Sequence, residues 1–262
     1  MAKSPGQLSL PLLLATAPLS YVPASAAEIA DNSYHVAFAH DYQQDSHTQK
    51  LHRMISTAID TNSADEIIGF RDSQGSLDWN ELVYDSGHHA TLKWGRWTRG
   101  ITSGTGLHSG HDISGAEGIR NSFRFIAGQV PDTALTDAAT FSLLGGHTSP
   151  TAGEGGGTSI TLLTRGSIDL NEGATSATVS LSLRVASGIY SFSAKDLAID
   201  QYGFSTDQPV ATSGVLCIPG CTTEITDFIA GSNGEQAGVA FSITNPALSK
   251  QINGIAAFKR EL

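Results

Sequence analysis

All nine histidines of the chain lie between positions 35 and 147, and the last 115 residues contain none. Imidazole is the commonest transition-metal ligand and a frequent axial ligand of haem, so crowding in one half raises a ligand question. His35, His40, His47 and His52 fall in the first quarter, His88-His89 are adjacent, and His147 ends an apolar run. His108-Ser109-Gly110-His111-Asp112 could place two imidazoles on one loop. None of the spacings is that of a metalloprotease helix, and no carboxylate-rich cluster accompanies them. For any single histidine the ordinary reading is a solvated surface residue.

Other chemistry is harder to find. The sequence has no Gly-x-Ser-x-Gly elbow and no Ser-x-x-Lys dyad, and neither cysteine has a histidine near it. Among 25 acids nothing singles out a glycosidase pair. Gly153-Glu154-Gly155-Gly156-Gly157 has no Lys-Ser/Thr and no helix pattern after it, so it reads as a hairpin loop rather than a phosphate cradle. Cys217-Ile218-Pro219-Gly220-Cys221 places two thiols four apart around a Pro-Gly turn. In an oxidising compartment that spacing closes a small loop; the alternative is a redox or metal pair, although two cysteines are half a zinc site. Trp94-Gly95-Arg96-Trp97 is the densest aromatic feature. On a strand, Trp94 and Arg96 share one face and Trp97 takes the other, as in an aromatic pair anchoring a sheet with Arg96 laid over a ring.

Composition narrows the partners. A net charge of −10 over 262 residues, with no basic tract, leaves nothing to displace counterions from phosphates and argues against nucleic acid. Only 15% of residues are charged and 40% are hydrophobic, the balance of a packed globule. The first residues carry Lys3, an apolar stretch from Leu8 to Leu19, and Ala24-Ser25-Ala26, the small-x-small pattern of a cleavage site. Pro11 and Pro18 spoil that stretch as a core helix. Residues 1–26 therefore read as an export signal, and no cysteine lies near Ala26 to carry a diacyl anchor. The apolar run is too interrupted for a membrane span.

The elements that must position these residues read as β. From residue 92 onward, short runs rich in Val, Ile, Thr, Ser and Phe alternate with Gly/Asn/Asp turns. Candidate strands are Leu92–Thr98, Ser122–Gly128, Thr140–Leu144, Ser159–Leu170, Ala177–Val185, Ile189–Ile199, Thr223–Phe228, Gly238–Thr244 and Ile252–Lys259. In Ser176–Val185, Ala177, Val179, Leu181 and Leu183 share one face and small polar residues the other, as in a barrel or sandwich wall. Eight or nine such strands fit a closed antiparallel barrel, because closure removes exposed edges. Total aromatic content is 7%, without the paired girdles of an outer-membrane pore.

Residues 27–91 read differently. Ser33–Ala39 and Asp65–Arg71 look like strands, the second followed by a turn at Asp72-Ser73-Gln74-Gly75. Between them Leu51, Met54, Ile55, Ala58 and Ile59 recur at i, i+3, i+4, i+7 and i+8, which predicts a short helix. The segment is expected to be a small α+β appendage.

Several pieces then resemble, in order, the β-barrel domain of transferrin-binding-protein-B-like solute-binding proteins, a module also seen in hemophilin-like secreted proteins and FecR-associated C-terminal domains. They are Trp94-Gly95-Arg96-Trp97, Phe125-Ile126-Ala127-Gly128, Phe141-Ser142-Leu143-Leu144-Gly145 with Thr148-Ser149-Pro150, and the paired Cys217 and Cys221. Phe228-Ile229-Ala230-Gly231, Glu235-Gln236-Ala237-Gly238-Val239-Ala240-Phe241 and Gly254-Ile255-Ala256-Ala257-Phe258 complete the set. The resemblance covers roughly residues 80–262. It implies a mainly β protein, an eight-stranded antiparallel barrel over 92–262 carrying a small N-terminal α+β handle over 27–91. It also implies a Gram-negative protein at or beyond the outer membrane, non-catalytic, that binds haem, iron or a host iron-carrier protein.

Under that reading His88, His89, His108 and His111 are the candidate ligand residues, since they flank the expected barrel mouth and sit in loops. Trp94, Arg96, Trp97, Cys217 and Cys221 are structural. Haem is the one cofactor the resemblance admits. The competing readings are a protein-interaction or adhesion module without haem or metal, and a metal-dependent enzyme.

Overall fold

In the computed structural model the described residues are 33–40, 51–72, 75–79, 83–97, 102–104, 123–150, 162–185, 188–200, 203–206, 210–214, 217, 220–245 and 250–261. The export segment, His47, His108 and His111 lie outside them. Every regular element among them is a β-strand. Nine strands precede the barrel: β1 (Tyr34–His40), β2 (Leu51–Ser56), β3 (Ala58–Thr61), β4 (Ile67–Arg71), β5 (Ser76–Trp79), β6 (Val83–His89), β7 (Leu92–Trp97), β8 (Thr102–Gly104) and β9 (Phe123–Gln129). The rest are β10 (Ala139–Pro150), β11 (Leu162–Leu170), β12 (Ser176–Val185), β13 (Gly188–Asp200), β14 (Gly203–Phe204), β15 (Val210–Gly214), β16 (Cys221–Ala230), β17 (Gln236–Asn245) and β18 (Lys250–Arg260).

Period-two alternation builds the barrel. In β12, Ala177, Val179, Leu181 and Leu183 are buried while Ser180 and Ser182 sit half-exposed on the other face. Antiparallel pairing runs β10–β11–β12–β13–β15–β16–β17–β18, and β18 pairs back onto β10, closing an eight-stranded barrel. Eight strands enclose a space that side chains alone can fill. Here Phe141, Ile168, Val179, Leu181, Phe192, Phe241 and Phe258 fill it, among others, as one hydrophobic core.

The handle is two further sheets. One has the order β2–β1–β9–β7–β6 and the other β3–β4–β5–β8. Between them lies a separate core around Trp97, which is fully buried among Phe70, Trp79, Phe123 and Phe125 with ring centroids 5.1–5.7 Å away. Its indole N–H donates to the carbonyl of Ile67 at 2.9 Å. Burying an aromatic ring this completely while satisfying its polar atom is what makes such a residue an anchor.

Three expectations need correction. Residues 51–61 are not a helix but strands β2 and β3. Met54 of β2 faces the handle core while Leu51 packs toward the barrel, so both faces of one strand carry apolar residues and together imitate a helical spacing. The strands expected at 92–98 and 122–128 pair with each other, and the second also with β1, in the handle sheet rather than in the barrel wall. The barrel's complement is made up by β15, whose five residues VATSG gave too short and polar a run to stand out.

Handle and barrel meet face to face. β1 and β9 turn Val36, Phe38, Phe123 and Phe125 into the handle core, and Ala37, Ala39 and Ile126 to the other side. There they pack on Phe228, Ala230, Ala240, Ile255 and Ala257 of β16, β17 and β18. Small residues let the two sheets approach closely. A Cβ placed on Gly128 would lie 2.5 Å from that of Ala230. The handle thus covers β10, β16, β17 and β18. Strands β11, β12, β13 and β15 form the other half of the barrel wall.

Candidate functional site

The exposed end of the handle hairpin β6–β7 carries His88 and His89. The hairpin turns at Ala90, whose φ is 49°, and Thr91. Gln236 of β17 ties it to the barrel by donating through Nε2 to the carbonyl of His89 and accepting from Thr91 Oγ1 at 2.8 Å. His88 stands opposite Lys93, which bonds Asp65 at 2.5 Å. That contact, reinforced by the charge on Lys93 and less by His88, holds the Asp65 carboxyl below its usual range. Consecutive strand residues point to opposite faces, so His88 and His89 cannot clamp one ion between them. Among the described residues no group of three His, Cys, Asp or Glu is placed to hold a metal ion.

Trp94 and Arg96 lie on the barrel-facing side of β7, with Trp94 in the junction core and Trp97 in the handle core. Arg96 bonds Asp85 through Nε at 2.8 Å and Nη2 at 2.6 Å. Cys217 and Cys221 form a disulfide with Cα atoms 4.9 Å apart, stapling the end of β15 to the start of β16.

Most of the buried titratable groups sit in the junction, and sequence reasoning did not single them out. Asp85, on the handle and in a left-handed conformation (φ 51°), takes a hydrogen bond at 3.0 Å from His147 Nε2 on barrel strand β10. Burial, then Arg124 and Arg96, push the His147 pKa down to about 4 against the pull of Asp85. His35 of β1 is buried and stacked on Phe228 of β16, with ring centroids 5.7 Å apart. Burial, helped by Arg53, lowers its pKa to about 4. Arg53 of β2 crosses to the barrel, donating to the Asp227 carbonyl at 3.2 Å and to Asp200 Oδ2 at 2.8 Å.

Asp227 is fully buried. Its Oδ1 accepts the Phe204 N–H at 2.8 Å, and Oδ2 has no hydrogen-bond partner among the described residues. Burial raises its pKa well above the usual carboxylate value and so favours the neutral acid. The only signal of these groups in the sequence is a lone polar residue inside an apolar run, as in YHVAFA and TDFIA.

The Asp85–His147 pair has the shape of half a catalytic dyad. The other imidazole nitrogen, Nδ1, is buried without a hydrogen-bond partner among the described residues, so no nucleophile is aligned on it. The pair acts as a tie between two bodies of the fold. The class so defined is a filled barrel with a handle fused to one side, whose described elements are all strands.

No family model matches the chain, and no curated protein matches it. Among solved structures it is similar to a double and a single mutant of the vaccine antigen transferrin binding protein B from Haemophilus parasuis Hp5. Identities are 8% and 11% and TM-scores 0.39 and 0.38. The alignments cover 87% of this chain and 45% of those, so the chain spans under half the length of the proteins it matches.

Proposed function

We propose that the protein is a non-catalytic binding protein, exported to the envelope or surroundings of a Gram-negative bacterium, that grips its ligand with the outside of the handle–barrel platform. The observation that carries this reading is the packed barrel interior, which leaves side chains where a lumenal ligand would sit. Among the described residues two outer surfaces are suited to recognition. One is the β6–β7 hairpin end with His88 and His89. The other is a concavity of about 680 Å³ on the wall away from the handle, lined by Arg165, Ser180, Ser182, Ser191, Ser193 and Ser213 among others.

The motif resemblance and the crowded histidines favour haem or an iron-carrier protein as the ligand. A haem held at the hairpin would take one imidazole of the pair, with His108 and His111 as the remaining candidates. Haem titration of the purified protein, followed by the Soret band, tests this. A shift lost on His88→Ala or His89→Ala supports it. An unshifted band with unchanged thermal stability leaves the protein-interaction reading, which pull-down with wall and hairpin variants then checks.

A further inference from the structure

We infer that the handle–barrel junction is an acid-sensitive latch, which opens when His35 and His147 take up protons inside it while the handle and the barrel each stay folded. Three observations carry it. The handle and the barrel have separate hydrophobic cores, whereas the junction core between them is smaller and mixes alanines with Leu92, Ile126, Phe228 and Ile255. Parting the two therefore sacrifices far less apolar burial than unfolding either. Both histidines lie in that junction, and Nδ1 of each is buried without a hydrogen-bond partner among the described residues.

The third observation is the charge around them. His147 on β10 faces Asp85 on β6, Arg96 on β7 and Arg124 on β9. His35 on β1 faces Arg53 on β2 and Asp200 at the end of β13, and Arg53 also donates to the carbonyl of Asp227 on β16. Arg124 and Arg96 beside His147, and Arg53 beside His35, oppose a positive charge on the neighbouring imidazole. A proton on either ring is therefore held at a cost that opening relieves.

The sign follows from proton linkage. Each imidazole has a pKa of about 4 in the closed junction and the ordinary 6.5 once solvated. Between pH 6.5 and 4 the open form takes up protons that the closed form refuses. Each histidine then favours opening by up to about 300-fold over that window. Asp227 takes no part in opening, because its carboxyl accepts from Phe204 of the barrel core, on the strand face that carries Ile225, and stays buried when handle and barrel part. Asp227→Asn therefore leaves the acid response in place.

Trp94 sits in the junction, while Trp79 and Trp97 are stacked in the handle core. Fluorine NMR of the full chain labelled with 5-fluorotryptophan, with the Trp94 line assigned by Trp94→Phe, separates opening from unfolding. Between pH 6.5 and 4 the Trp94 resonance is expected to move alone, and His35→Gln with His147→Gln to abolish the movement. All three resonances moving together, a Trp94 line constant to pH 4, or a double variant that responds like the parent would overturn the latch. Should the double variant fail to fold, imidazole titration of the unmodified protein decides. Two histidines titrating near 4 support the latch, and none below 6 sinks it.

Discussion

Gly128 of the handle and Ala230 of the barrel are packed so closely that a single methyl group on the glycine would sit 2.5 Å from the alanine Cβ. The two residues belong to the same four-letter string, FIAG, occurring once in β9 and once at the end of β16. The repeat is a pair of facing surfaces. Its backbones are joined as well, since the Gly231 N–H donates to the Gln129 carbonyl at 2.9 Å.

Gly128→Ala is therefore expected to destabilise the protein by about 1–3 kcal/mol, the usual cost of overpacking a close contact. Ala230→Gly in the same chain should recover part of the loss. Leu92 and Phe228 also crowd the added methyl, at 3.0 and 3.1 Å, so recovery stays incomplete. Urea midpoints of the two single variants and the double variant measure the coupling. Purely additive effects would mean the two residues do not meet.

Trp97→Ala should cost about 3–5 kcal/mol, because it empties the centre of the handle core. Trp97→Phe keeps most of the ring contacts but leaves the buried Ile67 carbonyl without its indole donor, at about 1–3 kcal/mol. Thermal unfolding with separate probes for handle and barrel reads both values. The barrel transition should move less than that of the handle.

The contribution of His35 and His147 to stability should fall on acidification from pH 6.5 to 4 and level off below. His35 and His147 have folded-state pKa values of about 4, so the unfolded chain binds protons first in that window. The largest loss is about 3 kcal/mol for each histidine. Asp227→Asn should stabilise the protein at pH 7, since the amide oxygen still accepts from Phe204 and no buried acid is held from ionising. That gain should vanish near pH 4. Denaturant midpoints for parent and variant at pH 7, 5.5 and 4 provide the check.

Reducing the disulfide should lower stability by about 2 kcal/mol, the loop-entropy value for so short a loop. Because the bond restrains the unfolded chain, the loss should appear in the global unfolding transition. Urea midpoints with and without reductant would show it as a lower midpoint, and an unchanged midpoint would contradict it.

The barrel was legible in the sequence because its strands bury one face and leave small polar residues on the other, as Ser176–Val185 does. The handle was harder to read for a physical reason. β2 and β9 are covered on both faces, so their apolar residues lose the period of two, and Leu51–Ile59 takes on the look of a helix. Which sheet a strand joins is a long-range matter, and nothing within Leu92–Trp97 states that it pairs with Phe123–Gln129 rather than with a barrel neighbour. His88 and His89 stand out by type and prove exposed. His35, His147 and Asp227 stand out only once burial is known.

The closing pair of the barrel also constrains the order in which the chain can fold. Phe141 of β10 meets Arg260 of β18 across 119 residues of chain, so the wall cannot seal until its last strand has left the ribosome. The outward face of β1 and β9 waits equally long for β16, β17 and β18 to cover it. A nascent chain in this interval carries an uncovered apolar sheet and two open strand edges. Under the proposed export this late closure has a use, because it keeps the chain from reaching its native state while it is still being made.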